Sequence, residues 1–442
     1  MATSSRTRLS KTQPQEPDLK SDPSTYFNME SFLLLLFLTA SLLILPLILP
    51  PLPPPPSMLL LVPIGLLLVL LILAFMPTDE LIPGLPNDVA LDCLARVPHR
   101  FHPGLRLVSR GWRNLLTAPC FHQHRERIEA TEDLIFLVQA LLGKNSGGGG
   151  EKGDGATVSS PEAYGLSIYN ATDGSWHRLA TPKPIPLFAQ VAAVDGKLVV
   201  MGGWDPVTLD PVTEVRVLDL KRGEWRIGAS MVVARSFFAC AAVAGKVYVA
   251  GGHDAWKNAL QGAEAYDVEE DRWLDLPAMG EKRDECKGVA AGGRFWAVSG
   301  YGTEGQGRFL GAAEWYDADA GKWKREEGMW EWEEGVCVGL AGGRMWSVEC
   351  GGGRENMVRE YKGNGKGWRE VAPLPARTRV RPSAAAIDGG ERVFLVAEVE
   401  AEAEGMEPNR GWILEVASAT WSRLEIPSRF NRFTFSTAAV RL

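Results

Sequence analysis

The chain has 442 residues, of which 45% are hydrophobic and 23% are charged, and its formal net charge is −7. A chain of this length exceeds one compact domain, so we expect at least two. The acidic balance argues against nucleic acid as the main partner, because phosphate binding requires a basic surface. The six cysteines are scattered without a Cys-x-x-Cys pair, which favours reduced thiols in an intracellular protein.

The chain begins with a polar tail and an apolar segment. Residues 1–30 are rich in Ser, Thr, Pro and charged residues, and this composition predicts a disordered tail. Residues 31–75 carry no charge and contain two apolar runs, Ser31–Leu49 and Met58–Phe75. Each run approaches the roughly 20 residues that cross a bilayer core, so one hypothesis is a membrane hairpin that leaves the rest of the chain in the cytosol. The alternative is that the main product starts at Met76 and the preceding residues are upstream sequence.

Residues 79–128 predict a small helical domain. Pro86 suits the first position of a helix, and Asp88 suits the first turn, near the positive end of the helix dipole. Further along, Val108 and Trp112 recur at helical spacing with other apolar residues. A domain this small leaves apolar side chains uncovered, so we expect a partner to cover them.

This helical segment resembles an F-box, because it combines a Leu-Pro start with a later Val-x-x-x-Trp-Arg element in the right order. The resemblance implies docking onto a Skp-type adaptor and, through it, onto a cullin-based ubiquitin ligase. The residues assigned to this contact are Leu85, Pro86, Val89, Leu94, Val108 and Trp112. The alternative interpretation is a generic helical hairpin in which Leu85, Val108 and Trp112 are only core residues.

The rest of the chain repeats. A Gly-rich stretch at 143–160 within this region lacks the spacing of a phosphate-binding loop and predicts a flexible connection. Tryptophans then recur 45 to 53 residues apart, at Trp176, Trp225, Trp273, Trp323, Trp368 and Trp421. Between them lie pairs of short apolar strands joined by tight turns that contain Gly. Such units resemble kelch repeats, and the resemblance implies a β-propeller over residues 134–442.

The two ends of this region complement each other. Residues 435–442 resemble an innermost strand without a continuation, whereas 134–141 begins three outer strands that lack an inner one. Together they make a sixth blade, which closes the ring and hides its open edges. We therefore predict a mainly β fold: a six-bladed kelch β-propeller preceded by a small all-α F-box domain and an apolar N-terminal segment that is a candidate membrane span.

An enzymatic propeller is a remote alternative. Some kelch propellers are copper oxidases, and such a site needs several His and Tyr ligands that converge on the metal. After Gly143 the sequence contains only two histidines, His177 and His253, and its cysteines lack metal-binding spacing. We therefore predict a non-catalytic protein with no cofactor and no metal site.

The loops that lead into the inner strands carry charged residues beside aromatic ones. Loops at one face of a propeller converge on one surface, and Arg with Trp is a frequent composition of binding hot spots. The candidate client-binding residues are Arg235, Phe237, Arg283, Asp284, Glu285, Trp330, Trp332, Arg377 and Arg379. The alternative is that these residues are solvated parts of the rim.

Two short sequences, "ELIPGLPNDVALDCL" and "RDECKG", resemble a group of plant F-box/kelch-repeat proteins whose clients include phenylalanine ammonia-lyase or cytokinin-response regulators. The resemblance covers Met76–Leu442 and implies a cytoplasmic or nuclear substrate receptor that directs a client to ubiquitination and proteasomal degradation. It also implies control of phenylpropanoid biosynthesis or cytokinin signalling. The competing hypothesis is a membrane-anchored kelch scaffold that does not act in ubiquitination.

Overall fold

The computed structural model describes residues 29–48, 63, 65–70, 80–141, 163–329, 334–350, 356–363, 367–376, 382–399 and 409–442. The chain divides into two compact units, Met1–Glu80 and Leu81–Leu442. The predicted disordered tail, apart from its last two residues, lies outside the described residues, and so does the flexible connection predicted at 143–160.

In the first unit the longest described element is a helix, α1 (Met29–Ile48). Its described side chains are mostly apolar and exposed, and Phe37 is an example. Across the parts of the chain that the structure describes, no helix combines the length and apolar character needed to cross a membrane. The membrane hairpin predicted over residues 31–75 is therefore not supported, and most of its second run lies outside the described residues.

The second unit begins with a helical domain. Its helices are α2 (Asn87–Ala95), α3 (His102–Leu105), α4 (Arg110–Thr117) and α5 (Pro119–Arg127), with a 3-10 turn at His99–Phe101. Ser109 caps α4, because its Oγ accepts a hydrogen bond from the backbone N of Trp112 at 3.0 Å. The buried residues of the small core are Leu94, Ala95, Leu116 and Phe121.

The rest of the second unit forms six four-stranded antiparallel sheets in the described residues. The strands are β1 (Asp133–Ala140), β2 (Tyr164–Asn170), β3 (Trp176–Leu179), β4 (Gln190–Val194), β5 (Lys197–Met201), β6 (Val215–Asp219), β7 (Glu224–Ile227), β8 (Ala239–Val243), β9 (Lys246–Ala250), β10 (Ala263–Asp267), β11 (Arg272–Leu276), β12 (Lys287–Ala291), β13 (Arg294–Val298), β14 (Ala313–Asp317), β15 (Lys322–Glu326), β16 (Glu334–Gly339), β17 (Met345–Cys350), β18 (Met357–Tyr361), β19 (Trp368–Pro373), β20 (Ser383–Ile387), β21 (Arg392–Glu398), β22 (Asn409–Glu415), β23 (Thr420–Leu424) and β24 (Thr434–Arg441).

The last strand closes the ring. β24 pairs with β1 in a sheet ordered β24-β1-β2-β3, with Leu134 opposite Val440 and Phe136 opposite Ala438. The C-terminal strand is therefore the innermost strand of a blade whose other strands come from the start of the repeat region. The predicted mainly β, six-bladed propeller is confirmed.

The repeated tryptophans connect each blade to the one before it. Each lies in the outermost strand of its blade and donates a hydrogen bond from Nε1 to a backbone carbonyl of the preceding blade. Trp225 donates to Ala180 O at 3.2 Å, and Trp176 donates across the closure of the ring to Glu425 O at 3.2 Å. The same type of bond is made by Trp273, Trp323, Trp368 and Trp421. Their spacing in the sequence is therefore the length of one blade.

The glycine pairs that follow the second strands allow neighbouring backbones to approach closely. Gly203 has a φ of 90°, and a Cβ at this position would lie 2.4 Å from the carbonyl oxygen of Leu187. In the third of these repeats the sequence has Ser299-Gly300, and Ser299 adopts the left-handed conformation itself, with a φ of 61°. The pair therefore keeps its backbone geometry where its first glycine is replaced.

The antiparallel blades give the propeller two distinct faces. One face carries the tight turns, such as those after β4 and β6, and we call it the turn face. The other carries the longer connections, such as 202–214 after β5 and 228–238 before β8, and we call it the loop face. The helical domain contacts the turn face, because His99 and Arg106 bond to backbone carbonyls in the turn after β6.

Candidate functional site

The helical domain exposes several large apolar side chains. Leu107 is 77% exposed and Val108 is 62% exposed, and Val89 and Phe101 are also exposed. Several exposed large apolar side chains on a domain this small indicate a protein-interaction surface. We call Val89, Phe101, Leu107 and Val108 the apolar surface of the helical domain.

The structure separates the predicted adaptor-binding residues into three groups. Pro86, Val89 and Val108 are exposed, whereas Leu85 is half-buried. Leu94 is only 3% exposed and packs in the core of the helical domain. The assignment of Leu94 to the adaptor contact was therefore wrong, because a core side chain is not accessible to a partner.

Trp112 is half-buried and holds two parts of the domain together. Its Nε1 donates a hydrogen bond to the carbonyl oxygen of Leu81 at 2.6 Å. This bond fixes the segment before α2 against α4. Trp112 therefore has a structural role within the helical domain.

Sequence reasoning did not find Phe101 and Leu107. Helical spacing was the signal used, and it does not apply here, because α3 ends at Leu105 and Leu107 lies in the turn before α4. Phe101 lies in a 3-10 turn. The sequence signal for an exposed apolar pair is that residues 107–108 are both apolar and directly precede Ser109, the cap residue of α4.

The helical domain is attached to the turn face by polar contacts with the backbone. Nε2 of His99 lies 2.8 Å from the carbonyl oxygen of Leu220, and Nη1 of Arg106 donates to the carbonyl oxygen of Lys221 at 2.6 Å. These bonds join the helical domain to the blade formed by β4–β7. They orient the domain without using its apolar surface.

A buried carboxylate lies at the centre of this attachment. Glu132 is 6% exposed and accepts hydrogen bonds from Arg125 Nη2 at 2.9 Å and from the backbone N of His99 at 2.6 Å. Its other oxygen accepts from Asn170 Nδ2 at 2.6 Å. Charge-assisted bonds to a desolvated carboxylate are strong and directional. Glu132 therefore ties α5, the 3-10 turn and the β2–β3 turn into one junction.

Neutral histidines surround the same junction. Burial lowers the pKa of His102 to about 3 and that of His122 to about 4, and it also lowers the pKa of His99. His102 Nε2 lies 3.2 Å from Nη1 of Arg125, where a second positive charge would be repelled. The junction therefore favours the uncharged form of these imidazoles.

On the loop face, two of the predicted client-binding residues are structural. Arg235 and Arg283 are 1% and 0% exposed. Arg235 Nη2 lies 2.6 Å from Glu264 Oε1, and Arg283 Nη2 lies 3.0 Å from Glu314 Oε1. Both guanidinium groups also donate to backbone carbonyls inside their blades. Their assignment to client contact was wrong, because both side chains are buried and paired with carboxylates inside their own blades.

Asp284 and Glu285 take different positions at the same face. Asp284 is buried, and its Oδ1 lies 2.8 Å from Nδ1 of His253. Glu285 is half-buried, lines the central opening and accepts a hydrogen bond from Tyr301 Oη at 2.9 Å. Of this pair, Glu285 is the residue whose side chain lines the cavity.

Phe237 lies at the mouth of the central channel, in an aromatic cluster. Its ring centroid is 5.0 Å from that of Phe188 and 5.2 Å from that of Phe435. Together with Phe433, these rings line one side of a cavity of about 280 Å³, which also borders Glu285. The cavity provides an apolar wall with a charged edge, as binding pockets commonly do.

The mouth is also a place of backbone strain. Phe188, Phe237 and Glu285 occupy equivalent positions before three successive inner strands, and their φ angles are 57°, 54° and 53°. Side chains other than Gly are uncommon in this region, and such strain clusters at functional sites. The four remaining candidates, Trp330, Trp332, Arg377 and Arg379, lie outside the described residues.

Comparisons with known proteins agree with this architecture. A family model of the F-box domain matches residues 82–124, and a model of the kelch motif matches residues 187–232 and 234–280. A model of the ARGOS small helical domain matches residues 27–76. The second unit therefore combines an F-box domain with a kelch propeller.

Several F-box/kelch-repeat proteins of Arabidopsis thaliana are similar to this chain. One is 46% identical over 55% of this chain and 64% of its own length. SKIP20 is 45% identical over 54% and 64%, and a third is 34% identical over 78% and 96%. The chain belongs to the plant F-box/kelch-repeat family, although its matches to the first two span less than two thirds of their length. The solved structure of YjhT aligns with 60% of this chain and 91% of its own at 14% identity, with a TM-score of 0.45.

Proposed function

We propose that this protein is the substrate-recognition subunit of a Skp-cullin-F-box ubiquitin ligase. The apolar surface of the F-box domain binds the Skp-type adaptor, which connects the chain to a cullin. The propeller holds a client protein on its loop face for ubiquitination and proteasomal degradation. The observation that carries this proposal is the separation of two uncovered surfaces, because the F-box attaches to the turn face and the aromatic mouth opens on the other.

Such a subunit is non-catalytic. It accelerates transfer of ubiquitin by holding the client close to the ligase, which replaces a bimolecular encounter by a local one. Among the described residues, no group of three or more His, Cys, Asp or Glu side chains is placed to hold a metal ion. Recognition of a protein client is the function for which the loop face offers a site.

The proposed clients are phenylalanine ammonia-lyase or a cytokinin-response regulator, and the proposed location is the cytoplasm or the nucleus. Support for these clients comes from the resemblance carried by "ELIPGLPNDVALDCL", which runs into α2, and by "RDECKG", which contains Asp284 and Glu285. Control of phenylpropanoid biosynthesis or of cytokinin signalling would follow from degradation of the respective client.

The first test measures binding to a purified Skp-type adaptor. We expect Leu107→Asp with Val108→Asp to weaken binding by about 30-fold or more, since burying a charge at a hot spot costs 2 kcal/mol or more. Val232→Asp is the matched control, because Val232 is also exposed but lies on the loop face. Undiminished adaptor binding by the double variant, or no binding by the unaltered chain, would contradict the proposal.

The second test concerns the client. The full chain, bound to its adaptor, is mixed with purified phenylalanine ammonia-lyase or with a cytokinin-response regulator, and binding is measured by calorimetry. We expect one of the two to bind and to lose affinity when Phe237 is replaced by Ser. If neither protein binds, both proposed clients are excluded. The proposed receptor function then depends on the result of the adaptor-binding test.

A further inference from the structure

Two loops on the loop face are built in the same way. Asp205 Oδ1 accepts hydrogen bonds from the backbone N of Val207 at 2.8 Å and of Thr208 at 2.9 Å. One blade further on, Asp254 Oδ1 accepts from the backbone N of Trp256 and of Asn258, both at 2.9 Å. Such Asp-headed turns fix the backbone locally. Each loop therefore holds the residue two positions after its Asp in a defined place.

The residues held in this way are large, apolar and exposed. Val207 is 86% exposed and Trp256 is 82% exposed, and Leu209 in the first loop is also exposed. Because the backbone at these positions is already fixed, a partner that covers the side chains has less ordering entropy to offset. Trp is also one of the residue types enriched at interface hot spots.

The loops are fastened to each other. Nζ of Lys257 lies 3.5 Å above the ring of Trp204, which begins the first loop. Nζ of Lys257 also lies 3.2 Å from Nε2 of His253, whose Nδ1 in turn contacts Asp284 of the next blade. Three successive blades therefore share one continuous platform.

This platform continues into the mouth of the channel. The ring of Trp204 lies 5.3 Å from that of Phe188 and 5.7 Å from that of Phe237. Beyond these rings lies the cavity of about 280 Å³, which is near the lower limit of pockets that hold small ligands. It has room for one large side chain, and the platform offers contacts to the residues on either side of it.

Charge indicates what accompanies that side chain. In the part of the chain that the structure describes, the charged residues of the two loops (202–214 and 251–262) and of the cavity lining are Asp205, Asp210, Glu214, Asp254, Glu285, Lys257 and Lys287. Acidic groups therefore outnumber basic ones by five to two within this described set. Hydrogen bonds from backbone N–H groups lower the pKa of Asp205, which keeps its carboxylate charged at neutral pH. A partner with complementary charge is basic.

We propose that the loop face recognises a short client segment in which one large apolar side chain, aromatic or aliphatic, is flanked by Lys or Arg. The apolar side chain enters the mouth beside Phe237, its neighbours pack on Trp256 and Val207, and the basic flank faces the carboxylates. This inference rests on the proposed function and names the chemistry of the client.

The test is selection of a random 12-residue peptide library, displayed on phage, against the full chain. Parallel selections use Trp256→Ser, Phe237→Ser and the control Ile227→Ser, which removes another exposed apolar side chain, at the end of the outer strand β7. We expect the enriched peptides to place a large apolar residue within two positions of Lys or Arg. We also expect recovery to fall at least tenfold on the first two variants and to stay unchanged on the control. Absence of enrichment, enrichment of acidic peptides, or equal recovery on Trp256→Ser would overturn the inference.

A synthetic copy of an enriched peptide then tests the charge. We expect several-fold weaker binding, measured by fluorescence anisotropy, when its Lys or Arg becomes Glu or when Asp210 becomes Asn. Equal binding in both cases would remove the basic flank from the proposal. Adaptor binding is measured on the same protein, so a chain that binds adaptor without selecting peptides contradicts only this inference. A chain that selects peptides without binding adaptor contradicts the proposed function.

Discussion

The two faces of the propeller differ, although the same strands build both. On the turn face the connections are short, as at Asp195-Gly196, and what they offer a neighbour is mainly backbone carbonyls. The F-box domain uses those carbonyls through His99 and Arg106. On the loop face the connections are long enough to form closed loops, and Val207 and Trp256 are presented to solvent. A propeller can therefore bind one domain through its backbone and leave its side chains on the other face for a second partner.

The largest effect is expected at the junction on the turn face. Glu132→Ala leaves the buried guanidinium of Arg125 without its carboxylate, and breaking a buried pair from one side costs about 3–5 kcal/mol. We expect this loss in the free energy of unfolding from denaturant titration. Glu270→Ala is the control, because its pair with Arg272 is exposed and such pairs contribute about 1 kcal/mol or less. Equal losses for the two variants would show that Glu132 does not organise the junction.

The next effect compares one glycine from each face. Gly203→Ala, on the loop face, would place a Cβ 2.4 Å from Leu187 O, whereas Gly293→Ala, on the turn face, would meet no heavy atom within 4 Å. Both have positive φ, so both variants carry the conformational penalty of about 1 kcal/mol. We expect Gly203→Ala to lose clearly more stability in thermal unfolding, because the backbone of the neighbouring loop must move. A similar loss at both sites would mean that the close approach contributes little.

The third effect is a pH dependence confined to the turn face. Burial lowers the folded-state pKa of His122 to about 4, below its ordinary value of 6.5. The unfolded chain therefore takes up the proton first, so the stability from this group is present above pH 6.5 and is lost as the pH falls towards 4. We expect the hydrogen-exchange protection factors of α2–α5, which are the observed rates normalised by the intrinsic rate at each pH, to decrease over this window.

His122→Leu removes the titrating group, so the variant should show a smaller change in exchange between pH 6.5 and 4 than the unaltered chain. The β8–β11 blade serves as the internal reference, since it lies away from the junction. An identical pH profile in the variant would mean that other groups cause the acid sensitivity.

The ring could be predicted from the sequence because its cause is local and repeated. Each outer-strand Trp bonds to the preceding blade, so the interval between Trp225 and Trp273 reports the size of a blade directly. The start of the repeat region lacks an inner strand, and its C-terminal end has one strand too many. This mismatch indicated that the ring is closed by pairing of β24 with β1. Periodic features of this kind can be recognised in a single sequence.

The binding residues were harder to predict because their roles depend on distant partners. Arg235 and Arg283 lie in loop sequences, but the carboxylates that bury them are 29 and 31 residues away. Conversely, the sequence alone does not indicate that Trp256 is exposed. An Asp lies two positions before it, but the role of that Asp becomes clear only in the structure, where the same Asp-headed turn also presents Val207 in the neighbouring blade.

The smallest effect tests how the loop face is held together. Lys257→Met keeps the length of the side chain and removes the charge above the Trp204 ring, and such contacts contribute about 0.5–1 kcal/mol at exposed sites. Global stability should change by no more than this, whereas exchange of the backbone N–H groups in 204–211 and 253–259 should accelerate together. Lys322→Met, in an outer strand, is the control and should leave both loops unchanged. If only 253–259 responds, the loops are independent and present Val207 and Trp256 as separate contacts. If both respond, Lys257 couples two blades into one surface, in contrast to the turn face, where the contact is made through backbone carbonyls.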